Sequence, residues 1–229
     1  MFTFPFTMFS RSSDDPYYSN VILLISPDES NGSTSTIDHS PIGNTIVFSG
    51  NTIVSTTQTK FAPSALYFDG ANNTWATVSD SANFNMSGDF TWEFWLYRTA
   101  VIERGGANDC PLSFSVSSTS TEDPAILLAG AVPYSCIYYT NTDAITTSNV
   151  LTLNAWHFIQ IIRSSGVVRI YLDGVQSGGN FSNATTINPD RIAISTSING
   201  FGEMQGYLGE MRLTKDVARS PYVPTARFI

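Results

Sequence analysis

The segment Phe90-Thr-Trp-Glu-Phe-Trp-Leu-Tyr97 limits the fold more than any other stretch of this 229-residue chain. Side chains alternate across a strand, so Phe90, Trp92, Phe94 and Leu96 share one face while Thr91, Glu93, Trp95 and Tyr97 share the other. Apolar bulk on both faces predicts a central strand, covered above and below. Glu93, held between two tryptophans, reads as a lone buried or rim carboxylate and not as half of a catalytic pair.

Strand-like runs of the same kind recur along the chain: 21–25, 45–48, 65–68, 75–78, 90–97, 112–116, 136–140, 156–163, 167–172, 191–195 and 207–214. They are separated by Gly, Pro, Asn, Asp and Ser clusters, and long helical periodicities are missing. The pattern predicts an all-β, two-sheet antiparallel jelly-roll sandwich. Ser164, Ser165 and Gly166 mark the turn of a hairpin over Trp156–Leu172, and Asp173-Gly174 marks a second turn, because such turns need residues that tolerate positive φ. Thr214–Arg219 reads as one helical turn with Thr214 as its cap, ended by Pro221 and Pro224, after which the C-terminal tail is extended.

Two regions follow: an aromatic N-terminal arm over residues 1–19 and one sandwich domain over residues 20–229. Phe2, Phe4, Phe6, Phe9, Tyr17 and Tyr18 crowd into the arm beside Pro5 and Pro16, which is unusual for a terminus in water. Such an arm is expected to dock, either on its own sandwich or on a neighbouring subunit. The stretch Met1–Ser10 lacks a basic start and is broken by Pro5, so it does not read as a secretory signal, and no run is long and apolar enough for a membrane helix.

Charge narrows the choice of partner. The chain carries 19 acidic against 11 basic residues, and Lys60 and Lys215 are its only lysines, so the clustered cations that grip a phosphate backbone are absent and nucleic acid is excluded. Aromatic residues make up 13% of the chain, enough to build a large core. Two cysteines, Cys110 and Cys136, form one candidate disulfide or two buried thiols. Sequons at Asn31, Asn72, Asn85, Asn180 and Asn183 are what an Asn/Ser/Thr-rich chain produces by chance.

Three ordered stretches carry a family resemblance. Ala65-Leu-Tyr-Phe-Asp-Gly70, Val78-Ser-Asp-Ser-Ala-Asn-Phe84 and Gly88-Asp-Phe-Thr-Trp-Glu-Phe-Trp-Leu96 form the first; Asn154-Ala-Trp-His-Phe158 with Val168-Arg-Ile-Tyr-Leu-Asp-Gly-Val175 the second; Gly206-Tyr-Leu-Gly-Glu-Met-Arg-Leu213 with Thr214-Lys-Asp-Val-Ala-Arg219 the third. Together they resemble the laminin-G-like jelly-roll domain of the concanavalin A-like lectin and glucanase superfamily, over about residues 20–224. The closing pattern is similar to that of domains in tailed-bacteriophage virion proteins. The resemblance therefore implies a virion-surface protein, made without a signal peptide, that docks on other virion subunits as a homo-oligomer and binds host-surface glycans. A purely structural capsid cement and a glycan-processing enzyme are the alternatives.

The resemblance also sets the chemistry to look for. Glucanases of this fold use a Glu-x-Asp-x-x-Glu spacing, which this chain lacks, so no catalytic residues are expected. His39 and His157 are too few for a multi-histidine metal site, and His157 reads as structural. Calcium takes carboxylate, amide and carbonyl oxygens, and likeness to calcium-binding relatives points to Asp28, Asn31, Asp69 and Glu210, although Gly209 stands where the closing signature usually has Asp. For a glycan, Trp75, Tyr134, Tyr138 and Tyr139 are the candidate stacking rings by residue type.

Overall fold

The computed structural model of the protein describes residues 15–79, 82–103, 106–115, 122–130, 132–140, 143–148, 150–196 and 202–228. Fifteen strands appear among them: β1 (Val21–Ile25), β2 (Ile46–Ser49), β3 (Ile53–Ser55), β4 (Ala65–Asp69), β5 (Trp75–Ser79), β6 (Phe90–Ala100), β7 (Asp109–Ser115), β8 (Glu122–Ala129), β9 (Ser135–Tyr139), β10 (Asp143–Thr146), β11 (Trp156–Ser164), β12 (Val167–Leu172), β13 (Val175–Ser182), β14 (Arg191–Ile194) and β15 (Gln205–Lys215). They form two antiparallel sheets. One runs β13-β12-β11-β6-β15-β4-β3, with β1 beside the second half of β15; the other runs β10-β9-β8-β7-β14-β5-β2. We call them the first and second sheets.

The expected central strand is central: β6 lies between β11 and β15, and Phe90, Trp92, Phe94 and Leu96 are all fully buried between the sheets. Trp92 stacks between Phe90 and Phe114, each with ring centroids 4.2 Å away, so one indole joins β6 of the first sheet to β7 of the second. The two hairpin turns are two-residue turns with both φ positive, 51° and 74° at Ser165-Gly166 and 49° and 81° at Asp173-Gly174, the twist that suits an antiparallel pair.

One expectation is corrected, and the structure adds to two others. Residues 214–219 form no helical turn: β15 runs through Lys215, Asp216 takes a φ of 59°, and the chain then continues without regular structure. β3, β8, β10 and β13 were not anticipated, being short or lacking apolar alternation, as in the exposed Val175-Gln-Ser-Gly-Gly-Asn-Phe-Ser182. Of the two readings open for Cys110 and Cys136, the structure has the buried thiols without a disulfide between them, and burial pushes the Cys136 thiol up to about 12.

The outer face of the first sheet is built around a buried charge. Glu93 has no exposure, and its register partners are Gln160 on β11 and Arg212 on β15. Gln160 Nε2 donates to one carboxylate oxygen at 3.1 Å, and Arg212 Nε donates to the other at 2.6 Å. Arg212 also donates to Asp15 at 2.9 Å and to the Tyr222 hydroxyl at 2.6 Å, while Arg219 grips Asp15 at 2.7 Å. The entry segment and the C-terminal tail are thereby pinned over β6. Beneath them Val21, Leu24, Trp95, Phe158 and Phe228 form a second, smaller core.

An ion pair buried this deeply is expensive to break, because the surviving charge has neither water nor partner. Glu93→Ala is expected to cost about 3–5 kcal/mol of stability in urea unfolding, whereas replacing Glu93 and Arg212 together by apolar residues should cost less. A loss for the single variant no larger than a typical surface change would remove this network from its structural role.

Candidate functional site

Above the region covered by the tail, the same outer face stays partly open and carries a row of aromatic rings. Tyr67 on β4 is the register partner of Tyr207 on β15, Tyr207 of Tyr97 on β6, and Tyr97 of Trp156 on β11. Four neighbouring strands thus place an aromatic side chain at one level, with successive ring centroids 4.8, 5.9 and 5.4 Å apart. Tyr67, Tyr97 and Trp156 are half-buried, and Tyr207 is 9% exposed. The strand period explains the outward direction: Leu66, Phe68, Leu96 and Leu208 take the alternate, core-facing positions. One level along, Asp69 on β4 faces Gln205 on β15, and Asn51 Nδ2 donates to Asp69 at 2.7 Å.

A bulge shapes the Trp156 end. Gly209 and Glu210 together oppose the single residue Trp95 between the pairs Leu208–Leu96 and Met211–Phe94. A Cβ on Gly209 would lie 3.2 Å from the Trp156 ring and 3.1 Å from Trp95 Cβ, so the indole packs closely over the bare glycine. A side chain at this position would require the indole to give by a few tenths of an ångström. Glu210 is 1% exposed, and neither carboxylate oxygen makes a hydrogen bond of ordinary geometry. Burial pushes its pKa up to about 7, offset only in part by its own backbone N–H, the Arg227 charge and the N–H groups of Ala62 and Phe228.

The residues singled out from sequence fare differently. Tyr134 and Tyr138 have no exposure and belong to the core between the sheets, so neither offers a ring face to a sugar. Trp75 and Tyr139 are half-buried, but they sit on β5 and β9, four inter-strand steps apart in the second sheet, roughly 19 Å. The four calcium candidates are not gathered. Asp28 meets Arg227 at 3.3 Å, Asn31 Oδ1 accepts from the Thr56 N–H, Asp69 accepts from Asn51 and Ala71, and Glu210 lies in the bulge. Among the described residues no three His, Cys, Asp or Glu side chains form a metal-ligand group.

His157 bridges the Asp173 carboxylate at 2.9 Å and the Thr152 N–H at 3.1 Å, tying β11 to the turn after β12. Of the arm, Phe2, Phe4, Phe6 and Phe9 lie outside the described residues. Tyr18 donates to the His39 carbonyl at 2.7 Å, and Tyr17, 44% exposed, lies under the Arg219 guanidinium. A cleft of about 540 Å³ opens there between Asp15, Tyr17, Arg219, Tyr222 and Phe228, its arginines already engaged by the charge network. Among the described residues no helix is long and apolar enough to cross a membrane.

Glu210 makes stability depend on pH. Its folded pKa of about 7 stands above the ordinary 4.5, so the folded state holds the proton more tightly. Stability should fall as pH rises from about 4.5 to about 7 and level off above, by about 3 kcal/mol in all. Glu210→Gln, neutral at every pH, should flatten that slope when urea midpoints at pH 5 and pH 8 are compared; an unchanged slope would show that another group titrates.

The family model described as the concanavalin A-like lectin/glucanases superfamily (laminin G 3) matches residues 69–221. No curated protein sequence matches the chain. Among solved structures it is similar to the binding domain of Paraclostridial Mosquitocidal Protein 1, with a TM-score of 0.65 and 13% identity over 89% of this chain and 50% of that one. It is also similar to domain 4 of AbnA, a GH43 extracellular arabinanase from Geobacillus stearothermophilus, in complex with arabinotriose, with a TM-score of 0.58 and 15% identity over 88% and 95% of the two chains. Trypanosoma rangeli sialidase aligns with a TM-score of 0.61 and 12% identity over 88% of this chain and 31% of its own. The chain spans about half the length of the mosquitocidal-protein structure, 50%, and at these identities the likeness is one of fold. With two antiparallel sheets in a jelly-roll sandwich and a family match across residues 69–221, the chain belongs to the concanavalin A-like lectin/glucanases superfamily as a laminin G-like domain.

Proposed function

We propose that this chain is a non-catalytic binding domain that recognises a glycan on the outer face of the first sheet, and that it does so as a surface component of a bacteriophage virion. The observation that carries the binding role is the half-open aromatic row Tyr67–Tyr207–Tyr97–Trp156 beside the Asn51–Asp69 pair and Gln205. Sugar rings present C–H faces that pack on aromatic rings and hydroxyls that need polar partners, and the row offers both. Some structural neighbours are binding domains of toxins, and one was obtained with arabinotriose bound, which favours the same reading.

The reading is non-catalytic because Asp69, which flanks the row, has no second reachable carboxylate on this face in Glu93 or Glu210. Glycoside hydrolysis needs two carboxyl groups flanking an accessible bond. Glu93 is sealed against Arg212 beneath the tail, and Glu210 is buried in the bulge. The virion assignment rests on the closing pattern Leu213-Thr-Lys-Asp-Val-Ala-Arg219, and the aromatic arm is proposed to dock the domain on other virion subunits. Homo-oligomerisation belongs to the same proposal.

Trp156→Ala and Tyr97→Ala should each weaken glycan binding about tenfold or more, as truncation of a central aromatic contact does, with a cooperative thermal transition retained. The measurement is a glycan-array screen followed by titration, repeated in chelator. Binding should survive chelation, since Asp69 has no further His, Cys, Asp or Glu side chains gathered with it into a metal-ligand group among the described residues. Absence of binding to any glycan would leave the structural cement role. Immunogold labelling of purified particles of a phage that carries the chain should decorate their surface, and a chain found only outside particles would overturn the virion assignment.

A further inference from the structure

The aromatic row has a direction, a length and a charge, and these define its ligand more closely than a glycan in general. The rings do not follow one strand; they cross four, β4, β15, β6 and β11, at a single register level. Three inter-strand steps of ~4.8 Å make a track of roughly 14 Å, the length of about three or four consecutive sugar rings and well beyond a single ring. The track is bounded at one end by the β3–β4 edge, where Ile53 partners Tyr67, and at the other by Trp156, the first residue of β11.

The polar groups lie along one flank of this track. Asp69 and Gln205 occupy the next outward level, and Asn51 is fastened to Asp69. Burial works against the charged form of Asp69, but hydrogen bonds from Asn51, from the Ala71 N–H and from Thr74 outweigh it and hold the pKa below the usual carboxylate value. The carboxylate is thus ionised whenever the protein is folded near neutral pH. Gln205 makes no side-chain hydrogen bond among the described residues, so its amide is available to a ligand. On the other flank Ser55 and Thr57 approach the Tyr207 hydroxyl.

Resting on the glycan-binding reading above, we propose that the site takes a neutral, linear oligosaccharide segment laid across the strands, its ring faces on Tyr67, Tyr97 and Trp156 with Tyr207 packed between them, and its hydroxyls on Asp69, Asn51 and Gln205. A fixed carboxylate on the flank, in a chain of net charge −8, disfavours sialylated, sulfated or uronate-bearing chains. Gly209 is the specificity-determining position of the track: its missing side chain lets the Trp156 ring lie at the far end, 3.2 Å from where a Cβ would stand.

The test is a panel of immobilised neutral linear chains of one to eight units, drawn from several backbones, beside anionic chains of matched length. Signal should be confined to neutral linear chains, rise with each unit to about three or four, and then stay flat. Gly209→Asp should shorten that plateau by about one unit and weaken the longest chains about tenfold; Trp156→Ala should do the same should the aspartate variant not fold. Preference for anionic chains, or full affinity for a monosaccharide, would overturn this proposal while leaving a glycan-binding domain. No signal from any chain would instead remove the glycan reading itself. If sedimentation then showed a dimer that Trp156→Ala dissociates, the row would be a contact between copies.

Discussion

A carboxylate buried in the middle of β6 is the constraint on which the outer half of this molecule depends. Glu93 has no contact with water, and an ionised group in that position must be met by charge and hydrogen bonds or the sheet cannot cover it. Arg212 and Gln160 meet it from the two flanking strands, and because Arg212 has donors to spare it also recruits Asp15 and Tyr222. The chain before β1 and the chain after β15 are drawn to the same spot. Once there, they bring Tyr18, Tyr222 and Phe228 down on Trp95 and Phe158, so that a polar requirement organises an apolar cluster.

That arrangement divides the outer face in two. The half under the tail is closed and holds both of the face's buried carboxylates. The other half keeps Tyr67, Tyr97 and Trp156 partly at the surface, Trp156 packing on the edge of the tail-covered cluster. The boundary between them is the bulge at Gly209 and Glu210, which breaks the β6–β15 register, seats the Trp156 ring on one side and buries a weakly solvated acid on the other. One local irregularity thus shapes the end of the candidate ligand track and introduces a titration near neutral pH. The glycine at position 209 leaves room for the Trp156 ring.

Much of the fold was legible in the residues, for identifiable reasons. The alternation through Phe90–Tyr97 carries enough apolar mass on both faces to announce a central strand, and Ser165-Gly166 and Asp173-Gly174 announce turns because few other pairs accept positive φ. The strands that were missed, such as Asp143–Thr146 and Val175–Ser182, lie at sheet edges, where one side of the strand is unpaired and little needs to be buried. The expected helical turn after Thr214 gave way because the same residues complete the ladder with β6 and β1, and Thr214 turns its hydroxyl to Arg219.

The site was less legible. Tyr134 and Tyr138 suit a sugar by residue type, yet both lie in the core between the sheets. Tyr67, Tyr97, Trp156 and Tyr207 each stand at an outward position that alternation alone identifies. Their alignment into one row depends on the register of three separate strand pairings, linking residues up to 140 positions apart in the numbering, between Tyr67 and Tyr207. By itself the sequence determined the strand period, the turns, the acidic surface and the family, because these follow from local composition and spacing. Only the tertiary structure decided which aromatics face water together and which carboxylates lie out of reach, because register and burial are properties of the assembled sheets and not of any single segment.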